Sequence, residues 1–413
     1  MDRQVNIGVI GLGARGLGLL KVLFGLMQEK GIVKVTAVCD YYSDRAEAGA
    51  AFIEEKFGYR PLCTTDWHDV INCDDVEAVM VLTAWESHVD ICTAAMYAGK
   101  KVGVEVGGAY SIEDCYRLVR AYEETGIHCM MLENCCYGRR ELMALNMARL
   151  GVFGTVVHCE GGYLHDLREE IVNGDINRHY RQRNYMNRNC ENYPTHELGP
   201  IMQVLDINRG NRFVSLCSVA SCSKGLAEYA AEHRGADHEL AKFNYAQGDV
   251  VTTIIKCAHG QTVIIKLDTT LPRIYSRGFT VRGTKGMYAE DGDYVHLDGE
   301  SEFSPLKDKI GNAESYAEKY EHPLWKEYRN NPIGGHDGID WLVYNAFIES
   351  VRDNIVPPID TYDTAVLMAI SPLSEQSVAM GGAPVAIPDF TCGRWIEGLE
   401  KGFPESGKYS LKK

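Results

Sequence analysis

Two short stretches carry residue types that can do chemistry. The first is Gly11-Leu12-Gly13-Ala14-Arg15-Gly16, a G-x-G-x-x-G loop directly after an apolar run. In such a loop the first glycine makes the turn, the second lets the backbone approach a pyrophosphate, and the third packs helix on strand. Asp40 follows 24 residues after Gly16, where a carboxylate can hold an adenosine ribose. Its charge repels a 2′-phosphate, so the expected cofactor is NAD rather than NADP, with Arg45 as the one nearby cation that argues the other way. The second stretch is "ENYPTHELGP", residues 191 to 200. Histidine titrates near about 6.5 and tyrosine near about 10, so Tyr193 and His196 can both move protons. They are equally at home as packing residues at the start of a helix. Pro194 fixes a φ angle between them, and Thr195 completes the run.

The elements that must position these residues are readable from pattern. Up to about residue 135, buried strands ("VNIGVIGLG", "VKVTAVCD", "EAVMVLTA", "KKVGVEV", "HCMMLEN") alternate with helical stretches. That alternation predicts an α/β fold: a Rossmann-type, doubly wound parallel sheet over 1–135. Trp85 and His88 in "TAWESH", Glu105 and Val106 in "VEVGG", and Asn134 in "LENCCYG" fall at successive carboxyl ends of strands, where such sheets bind ligands. From 136 to 413 the strands alternate in polarity and are joined by tight connections at "AHGQ", "KGMY" and "DGDY". They predict a second α/β domain with a large, mainly antiparallel open sheet. Helices are expected at "AESYAEKYEH" and "GIDWLVYNAFIESVRDN", and an irregular tail from "PDFTCGRW" to "SLKK".

Composition bounds the partners. The chain has 413 residues, 45% apolar and 24% charged, with a formal charge of −15. That acidity argues against general nucleic-acid or anionic-membrane binding. The 14 cysteines form no C-x-x-C pair and no zinc spacing, and no H-E-x-x-H occurs, so no metal is expected. Buried thiols in a reducing compartment account for them. The sequence enters a strand almost at once and its longest apolar stretch is broken by Lys21, so a cytoplasmic protein is expected.

The chain resembles the Gfo/Idh/MocA superfamily of NAD(P)-dependent oxidoreductases, and within it glycoside hydrolase family 109. The segments that carry the resemblance are "HCMMLENCCYGRRELMALNMARLGVFG", "YLHDLR", "YPTHELGPIMQVLDINRGNRF", "LPRIYSR" followed by "GTKG", and "PLSEQSVAMGGAPVAIPDFT". Members known by that name are NAD-dependent α-N-acetylgalactosaminidases. The resemblance implies NAD contacts at Gly11 to Gly16, Asp40, Trp85 through His88, Glu105, Val106 and Asn134. It implies sugar contacts at Tyr163, Arg181, Tyr193, Pro194, Thr195, His196 and Tyr275. Sugar dehydrogenases of the superfamily have Glu-Lys-Pro where this chain reads Glu105-Val106-Gly107, so the lysine that assists C–OH oxidation is missing. The chain also departs from family 109, with Gly107-Gly108 replacing a proline-containing turn and "HDGIDW" where a glycine usually follows the histidine.

The implied activity is an NAD-dependent glycosidase acting on an α-N-acetylgalactosaminide or related glycoside. Its route is transient oxidation at C3, removal of the acidified C2 proton with elimination, addition of water, and re-reduction. Such enzymes are an exception to the two-carboxylate rule. His196 then serves as general base or acid with Tyr193 beside it, Tyr163 and Tyr275 bind the sugar, and one tyrosine donates a proton. His196, Tyr193 and Tyr275 are thus the catalytic candidates, with His165-Asp166 and His336-Asp337 secondary. The alternatives are a net glycoside 3-dehydrogenase, or a non-catalytic NAD- or sugar-binding regulator. The expected partners are a small-molecule glycoside and, from the broad open sheet, copies of the same chain in a dimer or higher homo-oligomer.

Overall fold

In the computed structural model the described residues are 3–301, 305–397 and 407–411. They fall into two compact units. The first takes the residues up to Asn134, then Tyr328–Val366 and the described part of Leu399–Lys413; the second takes Cys135–Glu327 and Leu367–Gly398. The expected division at 135/136 lies one residue from this boundary, but 136–413 does not form a single domain. The helix Ile339–Asp353, predicted from its periodicity, belongs to the first unit. Periodicity shows that a helix has a buried face; it does not say against which sheet that face is buried.

The first unit is built on β1 (Val5–Ile10), β2 (Val33–Cys39), β3 (Leu62–Thr64), β4 (Ala78–Val81), β5 (Lys101–Val104) and β6 (Cys129–Met131). They pair in the order β3-β2-β1-β4-β5-β6 and every pair is parallel. The run Val79, Met80, Val81 is wholly buried, as a strand covered on both faces must be. Cys39 and Cys129 sit in this core as small buried thiols. Strand β3 has no counterpart among the sequence-read strands. Its three residues are only half-buried at the sheet edge, so no apolar run marks it. The strand order reverses between β1 and β4, which opens a crevice at their carboxyl ends. Thr361 and Thr364 close the β6 side, their hydroxyls accepting from the Cys129 and Met131 backbone N–H groups at 2.9 and 3.0 Å.

The second unit is built on β7 (Val156–Leu164), β8 (Phe213–Ala220), β9 (Val250–Cys257), β10 (Thr262–Asp268), β11 (Thr280–Gly283), β12 (Gly286–Ala289), β13 (Tyr294–Leu297) and β14 (Val385–Ala386). Their order is β13-β12-β11-β7-β10-β9-β8-β14. Only β7 and β10 run parallel; the other pairs are antiparallel. In β9 Val251, Thr253, Ile255 and Cys257 are buried while Ile254 and Lys256 are exposed, so one face carries the core and the other meets solvent. The helix Thr195–Val204 lies against β7: a Cβ on Gly161 would stand 2.4 Å from Glu197 Cβ. The short strand β14 and the helices Arg181–Asn187 and Gly225–Arg234 were not anticipated. Part of the expected irregular tail, 398–406 and 412–413, lies outside the described residues. No helix among the described residues is long and apolar enough to cross a membrane.

Candidate active site

The glycine loop of the first unit has the shape its sequence implies. Gly11 has φ +100, and a Cβ there would lie 2.5 Å from the Leu82 backbone. A Cβ on Gly16 would lie 1.9 Å from the Gly11 carbonyl oxygen, so any side chain would push the helix off the turn. Gly13 caps the helix that starts at Ala14 and offers no side-chain acceptor to its first N–H groups. Those groups are therefore available to an anion. Asp40 is buried and accepts from the Leu12 backbone N–H at 2.6 Å and from that of Tyr42 at 2.9 Å. It ties the end of β2 to the loop, and each carboxylate oxygen retains a lone pair for a hydroxyl. Arg45 stacks over the Tyr42 ring at 4.9 Å. These features fit a dinucleotide.

The other expected cofactor residues form two groups. Trp85 donates its ring N–H to the Val106 carbonyl at 3.1 Å, joining the ends of β4 and β5. Gly107 packs on that ring: a Cβ would lie 2.3 Å from Trp85 Cδ1. This is the physical reason for a glycine where related sequences have proline. His88 is fully buried. Its Nε2 lies 3.0 Å from the Thr83 carbonyl, its Nδ1 has no hydrogen-bond partner, and burial holds it below the usual imidazole range. His88 is thus a neutral ring that shapes the loop after β4.

The second group centres on a residue that sequence reasoning missed. Asp340, buried on the helix Ile339–Asp353, takes both Arg15 guanidinium nitrogens at 2.8 and 2.9 Å. It also accepts from Asn134 Nδ2 at 2.8 Å and lies 2.8 Å from His336 Nδ1. Burial works against its charge, but Arg15 and His336 hold it well below the usual carboxylate range. His336 is correspondingly raised by its bond to Asp340. Arg15 also pairs with Glu105 at 3.1 Å, and Glu105 accepts from the Tyr344 hydroxyl at 2.9 Å. The guanidinium of Arg15 is therefore engaged by carboxylates, and its backbone N–H is what it offers an anion. Asp340 and Tyr344 are spaced i, i+4, a one-face signal visible in the sequence without its partner strands. His336, a secondary candidate, belongs to this network; Asp337 beside it is exposed.

The second unit brings the sugar candidates together. Tyr163 is the penultimate residue of β7, and Tyr193 precedes the helix Thr195–Val204. Their rings stack with centroids 4.1 Å apart. His196 meets both edge-on, at 5.3 Å from Tyr163 and 4.8 Å from Tyr193. Arg181 lies over the same pair, 5.2 Å from the Tyr193 ring and 6.0 Å from that of Tyr163. Its Nη1 donates to Glu170 at 2.6 Å. A bridge between Leu164 and Ser276 brings Tyr275 alongside, and His165 packs edge-on to it at 5.0 Å. Burial raises the Tyr163 phenol and Arg181 partly offsets this. The Tyr275 phenol is also pushed up by desolvation and by the Cys135 thiol, though about half its surface is exposed. Pro194 is the N-cap of the helix and Thr195 is buried at its first position, with no hydrogen-bond partner for its hydroxyl. Pro200, inside that helix, has no N–H to give the His196 carbonyl.

Behind this cluster two further groups stand out. Arg277 pairs with Glu197 at 3.1 Å, with Glu141 at 2.5 Å and with Glu290 at 3.5 Å. Glu197 is one residue from His196 and Arg277 two from Tyr275, so the ion pair fixes one against the other. Glu191 is completely buried, its backbone held by Ser374 at 2.8 Å and Ser371 at 2.8 Å. Burial pushes its carboxyl up to about 8. The Tyr193 backbone N–H offsets part of this without forming a well-aligned hydrogen bond. Both glutamates lie inside the "ENYPTHELGP" stretch, but an acidic residue there reads as solvated until its burial is known.

Two family models match successive parts of the chain. Residues 5–133 match an oxidoreductase family described as an NAD-binding Rossmann fold, and residues 137–397 match the glycosyl hydrolase 109 C-terminal domain. The chain is 38% identical to an alpha-N-acetylgalactosaminidase of Tannerella forsythia, covering 96% of this chain and 88% of that protein. It is 37% identical to a glycosyl hydrolase family 109 protein of Parabacteroides distasonis over the same shares. Among solved structures, an NAD binding oxidoreductase from Klebsiella pneumoniae superposes with a TM-score of 0.68 at 15% identity, covering 94% of this chain and 99% of that one. Levoglucosan dehydrogenase in complex with NADH and levoglucosan gives 0.67 at 18% identity, covering 94% and 100%. At those identities the structures show a shared fold.

Proposed function

The chain belongs to glycosyl hydrolase family 109, an NAD-dependent glycosidase on an oxidoreductase fold, and from that premise we propose that it cleaves an α-N-acetylgalactosaminide or a related glycoside by redox-assisted elimination. The observation that supports this most is His196 packed edge-on against both members of the Tyr163–Tyr193 stack, with Arg181 over the same rings. An imidazole and phenols, all able to transfer protons, are gathered there.

Gly11, Gly13, Gly16 and Asp40 would hold NAD, which supplies a hydride acceptor for sugar C3 and later returns the hydride. The remaining work falls to side chains. A sugar C2–H beside a C3 ketone is acidic enough for a base to remove, and His196 takes that proton. The glycosidic oxygen at C1 then departs with a proton from a tyrosine, Tyr193 or Tyr275, and water adds to the enone. The Tyr275 phenol, raised by burial, stays protonated at neutral pH and so holds a proton to give. Arg181, fixed by Glu170, orients the sugar with Tyr163.

The test is a screen of nitrophenyl α- and β-glycosides, N-acetylhexosaminides included, with and without NAD⁺. His196→Ala and Tyr275→Phe should bind NAD normally and lose most turnover. Near-normal rates in both would refute the assignment. Product formed in deuterium oxide should carry deuterium at C2, and NADH accumulating with substrate would point instead to a net dehydrogenase.

A further inference from the structure

The elimination route asks for two bases. The hydroxyl at C3 must lose a proton as that carbon is oxidised, and C2 must then lose another. A single imidazole that has taken the first proton is an imidazolium and cannot take the second. His165 is an imidazole beside two of the site's tyrosines. Its Nδ1 lies 3.0 Å from the Tyr163 hydroxyl, and its ring packs edge-on to both Tyr163, at 5.5 Å, and Tyr275, at 5.0 Å.

Resting on the glycosidase reading above, we propose that His165 is a second proton-transfer group of this site, acting through the Tyr163 hydroxyl. As the C3 hydroxyl gives its proton to the Tyr163 oxygen, the Tyr163 proton passes to His165 Nδ1. The sugar is left with a C3 carbonyl once its hydride has gone to NAD⁺, Tyr163 is again neutral, and His165 is an imidazolium. Re-reduction runs the same path backwards, so no proton is lost over a turnover. The surroundings suit this. Burial, and after it the Arg181 charge, hold His165 below the usual imidazole range, so it waits as a neutral acceptor. Glu170 and Asp166 pull the other way. Glu170 is bound by Arg181 and Asp166 by Arg168 at 2.9 and 2.7 Å, which limits that pull. The main-chain N–H of His165 is fixed on the Asp268 carbonyl at 3.0 Å, so the ring is carried by rigid sheet backbone. The lysine that assists C–OH oxidation in sugar dehydrogenases is absent, its place taken by buried Val106. The Tyr163–His165 pair fills that chemical role.

His165 also packs against Tyr275, so the test must separate packing from proton transfer. His165→Phe keeps a ring at the edge contact and removes both nitrogens. It should keep NADH binding, read by fluorescence, and hold KM within about threefold. Its kcat should fall by roughly 10²- to 10⁴-fold, the usual worth of a positioned acid–base group. In His165→Ala, imidazole in the buffer should restore part of kcat. A His165→Phe enzyme within about threefold of the parent kcat, or one that loses only KM, would overturn the proposal. A second readout needs no turnover. Ring nitrogen-15 NMR of the protein alone at pH 7 should show His165 Nδ1 without a proton; an Nδ1–H tautomer or an imidazolium would equally overturn it. If the parent places no deuterium at C2, the elimination route falls. If it does so and His165→Phe is silent, this proposal falls alone.

Discussion

Replacing Glu191 with glutamine should flatten the pH dependence of stability. The Glu191 carboxyl is completely buried and pushed from its ordinary 4.5 up to about 8, chiefly by burial. The native state therefore binds one proton more than the unfolded chain between those two values. Stability from this group is fully present below 4.5, falls as pH rises, and is gone above 8. Each unit is worth about 1.4 kcal/mol, so the whole loss approaches about 5 kcal/mol, of which about 2 kcal/mol falls between pH 6 and 8. Glu191→Gln keeps the shape and cannot ionise. Its second N–H hydrogen also lacks a partner, which shifts stability at every pH alike, so the slope and not the level is read. Urea unfolding of parent and variant at half-unit steps from pH 5.5 to 8.5 measures it. All other titrating groups are common to both proteins and cancel. The difference in unfolding free energy should tilt toward the variant by about 2 kcal/mol between pH 6 and 8. Parallel curves would show that Glu191 ionises normally, and the burial argument would be wrong.

Other perturbations follow from the same geometry. Gly16→Ala puts a Cβ 1.9 Å from the Gly11 carbonyl oxygen and should abolish NADH binding by fluorescence while leaving the second unit's unfolding transition in place. Arg277→Met leaves Glu141 and Glu197 buried without their cation and should cost about 3–5 kcal/mol in urea unfolding. Because that ion pair also sets His196 against Tyr275, kcat should drop in the molecules that remain folded. Asp340→Asn removes the acceptor that raises His336 and leaves burial and the Arg15 charge, which lower it, so NMR titration should find that histidine titrating at lower pH than in the parent. Gly107→Lys, which adds an ammonium beside Trp85, should lower NAD affinity because its Cβ meets the Trp85 ring at 2.3 Å.

The parallel sheet and the glycine loop were legible because each is written in consecutive residues. A strand buried on both faces is a run of apolar residues, and a phosphate turn must place its glycines at fixed spacing. The same locality explains why Tyr163 and Tyr275 could be named only through resemblance. They are 112 residues apart in the chain and meet because Leu164 bridges Ser276. Spacing shows nothing of that pairing.

What the sequence alone determined is a dinucleotide loop with an acid at the end of the second strand, and it offered Tyr193 and His196 as titrating candidates. What the tertiary structure decided is which carboxylates and imidazoles work as partners. Asp340 reaches Arg15 across 325 positions, Arg277 gathers Glu141 and Glu197, and Glu191 is raised because burial outweighs the little support that the Tyr193 N–H gives its charge. Such properties belong to surroundings assembled from distant segments. An ionisable side chain takes its behaviour from the dielectric and the charges near it, and those exist only once the chain has folded.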